Sequence, residues 1–129
     1  MKSVGILFPG QGAQAIGMGR WLCETHPVAK SLFDQASELL GYDLGKLCAE
    51  GPESQLNETA YSQPALFVVG LAAATVMREQ APERIAAVKA AAGLSLGEYT
   101  AVCFAGGLDF SDGVRLVQRR GQAMQAAAD

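Results

Sequence analysis

Several scarcities narrow the field. Cys23, Cys48 and Cys103 are the only cysteines, too few for a disulfide scaffold, odd in number, and in no metal-ligand spacing. They are expected to be reduced, mostly buried thiols of a cytoplasmic protein. Charge is sparse: 10 basic and 13 acidic side chains leave a net charge of −3 over 129 residues. The scattered basic residues leave no electrostatic footprint for nucleic acid, and that class is set aside. Long hydrophobic runs are missing too. The longest uncharged stretch, 59–77, begins polar and turns solidly apolar only at Ala65, so it is expected to be too short to span a bilayer and to form a buried helix. The N-terminal residues, one lysine and then a short apolar stretch broken by Pro9 and its neighbouring glycines, lack the form of a secretory signal.

Half the residues are hydrophobic, enough at this length to build a core without staples. Val4–Phe8, closed by Pro9-Gly10, reads as a strand buried on both faces of a parallel sheet. Apolar residues at helical spacing from Val28 to Leu40, with Pro27 before them and Gly41 after, predict an amphipathic helix. The 41–58 stretch is rich in turn residues and should hold only short helical pieces. The 65–77 segment, apolar on nearly every side, is expected between other elements. The latter half of the run 85–92 reads as a second strand, 96–105 as a helix, and Ser111 as the cap of a last helix running toward Asp129. The total of two strands and about five helices is an unfinished parallel sheet, since such sheets usually have about five or six strands.

Gly93-Leu94-Ser95-Leu96-Gly97 lies between the second strand and a helix, the setting of a nucleophile elbow. So tight a turn needs small residues around the serine, and it holds the hydroxyl at a helix N-terminus where the Leu96 amide can meet a developing oxyanion. On this motif alone, an idle serine in a glycine-rich turn fits equally well. Phe8-Pro9-Gly10-Gln11-Gly12-Ala13-Gln14 follows the first strand, and Gly10, Gly12 and Ala15 have dinucleotide-loop spacing. The acidic residue that such a loop needs about 20 positions later is out of place, because Asp34 falls inside a helical pattern. A plain turn, or a second oxyanion donor from the Gln11 amide, is better supported. In the last helix Val114, Val117, Gly121, Met124 and Ala128 share a face. At about 100° per residue, Arg120 falls at its edge and Arg119 opposite it. Taken by itself, such an arginine more often serves a surface salt bridge.

Taken in order, the segment 8–14, Gln63-Pro64-Ala65, Gly93-Leu94-Ser95-Leu96-Gly97-Glu98-Tyr99, and Arg120-Gly121 with Met124 strongly resemble the malonyl-CoA:acyl carrier protein transacylases of fatty acid synthesis. The resemblance runs over essentially the whole chain. It implies that Ser95 is the nucleophile, taking malonyl from coenzyme A as an ester and passing it to the phosphopantetheine thiol of acyl carrier protein in ping-pong fashion. It further implies that the amides of Gln11 and Leu96 form the oxyanion hole, that Gln63 is an active-site glutamine, that Arg120 clamps the malonyl carboxylate, and that Met124 lines that pocket. Malonyl-CoA and acyl carrier protein are the implied partners, with no cofactor and no metal.

Two departures stand out. The family commonly has histidine before the nucleophile where this chain has Leu94, which bears on pocket polarity and acyl preference. The family's catalytic histidine lies well downstream of the elbow; the single histidine here, His26, matches no such position and reads as a solvated residue before a helix. The resemblance therefore implies that residues 1–129 are the N-terminal part of the large subdomain of an α/β-hydrolase-like fold. That part would be a partial parallel sheet flanked by helices, ending before the small ferredoxin-like subdomain. The start at Met1 favours a free-standing enzyme. The alternatives are a serine esterase built on the same elbow and, in another class, a dinucleotide-binding module.

Overall fold

The computed structural model describes residues 2–129. In chain order, strand β1 is Val4–Phe8, followed by helices α1 (Arg20–Thr25), α2 (Pro27–Leu40), α3 (Leu44–Glu50), α4 (Glu53–Leu56), α5 (Thr59–Gln80) and α6 (Pro82–Ala86). Strand β2 (Val88–Gly93) and helices α7 (Leu96–Phe104) and α8 (Phe110–Ala128) complete it. There are eight helices among the described residues instead of about five, because several connections fold into short helices of one or two turns. One of these, α3, begins where Asp43 Oδ1 accepts from the Lys46 amide at 3.0 Å, satisfying an otherwise orphaned helix donor.

Helix α5 is the hub. It packs against α2, α7 and α8, and Phe67 and Val68 on it are fully buried. At 22 residues it is long and apolar enough to cross a membrane, so the expected shortness is corrected. Its burial in the core and the buried polar side chains of Ser62 and Gln63 bear out the expected core helix. The cap expected at Ser111 is also corrected. The cap position of helix α8 is Asp109, in extended conformation and two residues before Ser111, because Phe110 already belongs to the first turn, its ring stacked on Phe67 at 6.2 Å.

The two strands pair in parallel, with Val4 opposite Val88 and Phe8 opposite Gly93. Phe8 packs with Ala74 of α5 and Ala101 of α7, and Ile6 and Ala91 pack against that cluster. Side chains alternate across a strand, and Leu7, between Ile6 and Phe8, is 81% exposed. The expectation that β1 is buried on both faces is thus corrected: helices cover one face of the sheet only. The register brings both carboxyl ends level, so the loops after Phe8 and Gly93 leave the sheet side by side.

Candidate active site

Ser95 sits between β2 and α7 with φ 56° and ψ −112°, and is the one non-glycine residue with positive φ among those described. Such a backbone is costly for an L-residue, about 1–3 kcal/mol, and the flanking contacts hold it there. A β-carbon on Gly93 would collide with the backbone of Gly97 and Glu98, and one on Gly97 would collide with the Phe8 carbonyl. The tight turn therefore needs both glycines, as its sequence implied. Ser95 is left exposed. Gly97 N and Glu98 N bond back to the carbonyls of Leu94 and Ser95 at 3.0 Å each, which leaves Leu96 N as the free leading amide of α7.

Two other elements meet the serine. From α8, Arg120 Nη2 donates to Ser95 Oγ at 3.1 Å and Nη1 donates to Gln63 Oε1 at 2.8 Å. From α5, Gln63 is 1% exposed and its Nε2 donates to Met124 Sδ at 3.1 Å. The guanidinium carbon lies 5.2 Å from the Tyr99 ring centroid. Arg120 is half-buried and Arg119 exposed, as the helical phase predicted. The two ion pairs among the described residues, Lys30–Asp34 and Arg115–Asp112, do not involve Arg120, so the surface salt bridge does not describe it. Its positive charge is braced by a neutral amide and an aromatic face and is aimed at a hydroxyl.

The loop after β1 lies directly on the elbow: a β-carbon on Gly10 would stand 2.5 Å from the Leu94 carbonyl oxygen and 3.7 Å from Ser95 Cβ. Gln14 Oε1 accepts from Gly12 N at 2.8 Å. The loop is tied to the start of α5 by Gln11 Nε2 donating to Thr59 Oγ1 at 2.9 Å and to the α4–α5 connection by Gln14 Nε2 donating to Asn57 Oδ1 at 3.1 Å. Its residues run on through turns to α1 at Arg20, whereas a dinucleotide loop opens a helix at once. Asp34 lies on α2, paired with Lys30 at 2.8 Å. The dinucleotide module is therefore overturned.

The family model described as acyl transferase domain matches residues 6–129. The chain belongs to that acyl transferase family. It is 46% identical over 124 residues to the mitochondrial malonyl-CoA-acyl carrier protein transacylase of Mus musculus, covering 96% of this chain and 32% of that protein. Among solved structures it resembles the malonyl-CoA:acyl carrier protein transacylase of Xanthomonas oryzae pv. oryzae. The TM-score is 0.90 and the identity 46%, covering 100% of this chain and 40% of that one. It also resembles a malonyl transacylase in complex with its type II polyketide acyl-carrier protein, with a TM-score of 0.90 and 43% identity over 98% of this chain and 40% of that one. The chain thus spans about a third of the length of the curated relatives it matches.

Within this acyl transferase domain, Ser95, Gln63, Arg120 and Met124 form one continuous chain of contacts, and the Gln11 loop and the Leu96 amide flank the serine. Leu94 is 78% exposed beside it. His26 stands apart, half-buried before α2 with its ring 5.2 Å from Trp21. Sequence reasoning assigned no role to Asn57, Thr59 or Tyr99. Asn57 and Thr59 carried no signal, lying 43 and 48 positions from their partners. Tyr99 did: four residues beyond Ser95, it shares a helix face with it.

Proposed function

We propose that this chain supplies the nucleophile, oxyanion donors and carboxylate clamp of an enzyme that transfers malonyl from coenzyme A to the phosphopantetheine thiol of acyl carrier protein. The observation that carries the reading is Arg120: a cation paired with no carboxylate of the described residues, within hydrogen-bond reach of Ser95 Oγ. Malonyl bears its carboxylate one methylene from the thioester carbonyl. A clamp for it must therefore stand beside the nucleophile, and a guanidinium can take both carboxylate oxygens in a bidentate pair.

In the proposed reaction Ser95 Oγ attacks the thioester carbonyl and its proton passes to a histidine base outside residues 1–129. The oxyanion is held by the Gln11 and Leu96 amides, a type of donor worth roughly 3 kcal/mol each. The carbon–sulfur bond breaks, coenzyme A leaves as the thiol after receiving the proton, and a Ser95 malonyl ester remains. The carrier-protein thiol then attacks the ester, the serine oxygen leaves and is reprotonated, and the thioester is re-formed. The proposed transfer needs no cofactor or metal. Without its base the serine is a weak nucleophile, so residues 1–129 alone are expected to be inactive. The proposed location is the cytoplasm, where free thiols stay reduced; the mouse relative is named mitochondrial.

The test is intact mass after brief exposure of the full-length enzyme to malonyl-CoA. A malonyl adduct on the wild type that is lost in Ser95→Ala and absent from the 129-residue chain is expected. An adduct that survives Ser95→Ala overturns the nucleophile assignment. An adduct on the short chain places the base within these residues, His26 first among them.

A further inference from the structure

We infer that Tyr99 is the positioning residue of the carboxylate clamp, holding the Arg120 guanidinium over its ring so that the cation presents its free edge to an acyl carboxylate beside Ser95. The inference rests on the clamp reading of Arg120 and deepens it.

Three contacts define where the guanidinium stands. Nη1 donates to Gln63 Oε1 at 2.8 Å, Nη2 donates to Ser95 Oγ at 3.1 Å, and the guanidinium carbon lies 5.2 Å from the Tyr99 centroid. The Ser95 contact is the one a substrate must displace, since the serine has to attack. That leaves Gln63 and Tyr99 to hold the arginine during turnover. One hydrogen bond to Gln63 fixes one nitrogen and leaves the long side chain free to swing about it. A ring face against the guanidinium removes that freedom without competing for any N–H donor, because the attraction is to the ring quadrupole. A carboxylate at the same place would neutralise the cation and close the clamp to malonyl.

Helix geometry makes Tyr99 suited to this. It lies one turn beyond Ser95 on α7, so a single rigid element sets both the nucleophile and the surface on which the clamp rests. Tyr99 is half-buried and packs against the main core cluster, which fixes the ring independently of Arg120.

The experiment compares kcat/KM for malonyl-CoA and acetyl-CoA in the full-length enzyme, for Tyr99→Leu, Tyr99→Phe, Arg120→Ala and the Tyr99→Leu/Arg120→Ala double variant. Tyr99→Leu should lower the malonyl-to-acetyl ratio roughly two- to thirty-fold, the range of a cation–π contact, mostly through KM for malonyl-CoA. Tyr99→Phe, which keeps the ring face, should restore most of the ratio. In the Arg120→Ala background, Tyr99→Leu should change the ratio no further, a non-additivity that a purely structural role would not produce. If Tyr99→Leu keeps the wild-type ratio while Arg120→Ala collapses it, the role of Tyr99 is overturned and the clamp stands. If Arg120→Ala lowers both substrates equally, the clamp fails and this inference with it. If Tyr99→Leu does not fold, Tyr99→Met, which fills much of the volume without a ring face, takes its place: a lowered ratio that Tyr99→Phe does not show supports the ring-face role, and a wild-type ratio overturns it.

Discussion

Arg120 Nη2 and Ser95 Oγ are 3.1 Å apart, so the proposed clamp and the proposed nucleophile share one hydrogen bond although α8 and α7 deliver them from positions 25 residues apart. That separation suits a diacid whose two ends are one methylene apart, and it yields the first prediction. Arg120→Ala should cut malonyl transfer by roughly 10- to 150-fold, the value of a hydrogen bond to a charged group, while acetyl transfer falls much less. Arg120→Lys should recover only part, because an ammonium cannot form the bidentate pair. Steady-state kcat/KM with both thioesters checks this, and equal losses would speak against the clamp.

The backbone of Ser95 gives a second expectation. At φ 56° a glycine is unstrained, so Ser95→Gly should relieve about 1–3 kcal/mol of strain against about 0.5–1 kcal/mol of added chain entropy. The variant should therefore be inactive yet between about 0 and 2.5 kcal/mol more stable in urea unfolding, whereas Ser95→Ala keeps the strain. Equal stability of the two variants would mean that the strain at Ser95 is no larger than the roughly 0.5–1 kcal/mol of chain entropy that glycine adds.

Gly97 meets the Phe8 carbonyl and Gly93 meets the first turn of α7. Gly97→Ala should destabilise the fold by roughly 1–3 kcal/mol through overpacking and should also lower the rate of Ser95 acylation, since the elbow must open to admit a methyl group. Denaturant unfolding together with burst kinetics tests both; a variant with normal stability and rate would show that the close approach is dispensable.

The pH dependence of stability follows from buried groups. Burial, helped by the Cys23 charge, pushes the Cys48 thiol from 9.0 up to about 12, and burial likewise raises the Tyr42 hydroxyl above its usual 10.0. The unfolded chain ionises these groups first, so above pH 9 the unfolded state holds fewer protons than the native one. Stability is full below pH 9 and falls as pH rises toward 12, by up to about 1.4 kcal/mol per pH unit for each group. Urea midpoints measured from pH 7 to 11 should decline above pH 9, and Cys48→Ala should flatten the first part of that decline.

Much of the site was legible in order along the chain. Gly93 to Gly97 states its own turn, because only residues without a β-carbon let a strand reverse into a helix so tightly, and the phase of α8 places Arg120 at the edge of a buried face. Local pattern of this kind is enough to identify a strand, an elbow and an amphipathic helix. It misjudged elements whose bounds depend on partners: α8 starts at Phe110 because that ring stacks on Phe67, and α5 runs back to Thr59 through polar residues that tertiary contacts bury.

What the sequence by itself determined is the local chemistry: a serine in a strained turn, glycines where chain meets chain, and an arginine on the border of a helix face. Only the tertiary structure decided which of these meet. The parallel register sets Phe8 opposite Gly93 and so lays the Gln11 loop on the elbow. The packing of α5 and α8 brings Gln63 and Met124 to opposite sides of one hydrogen bond, and α7 puts Tyr99 under the Arg120 guanidinium. Such pairings join residues as many as 61 positions apart. They depend on how helices pack over one another, and local periodicity carries no record of that.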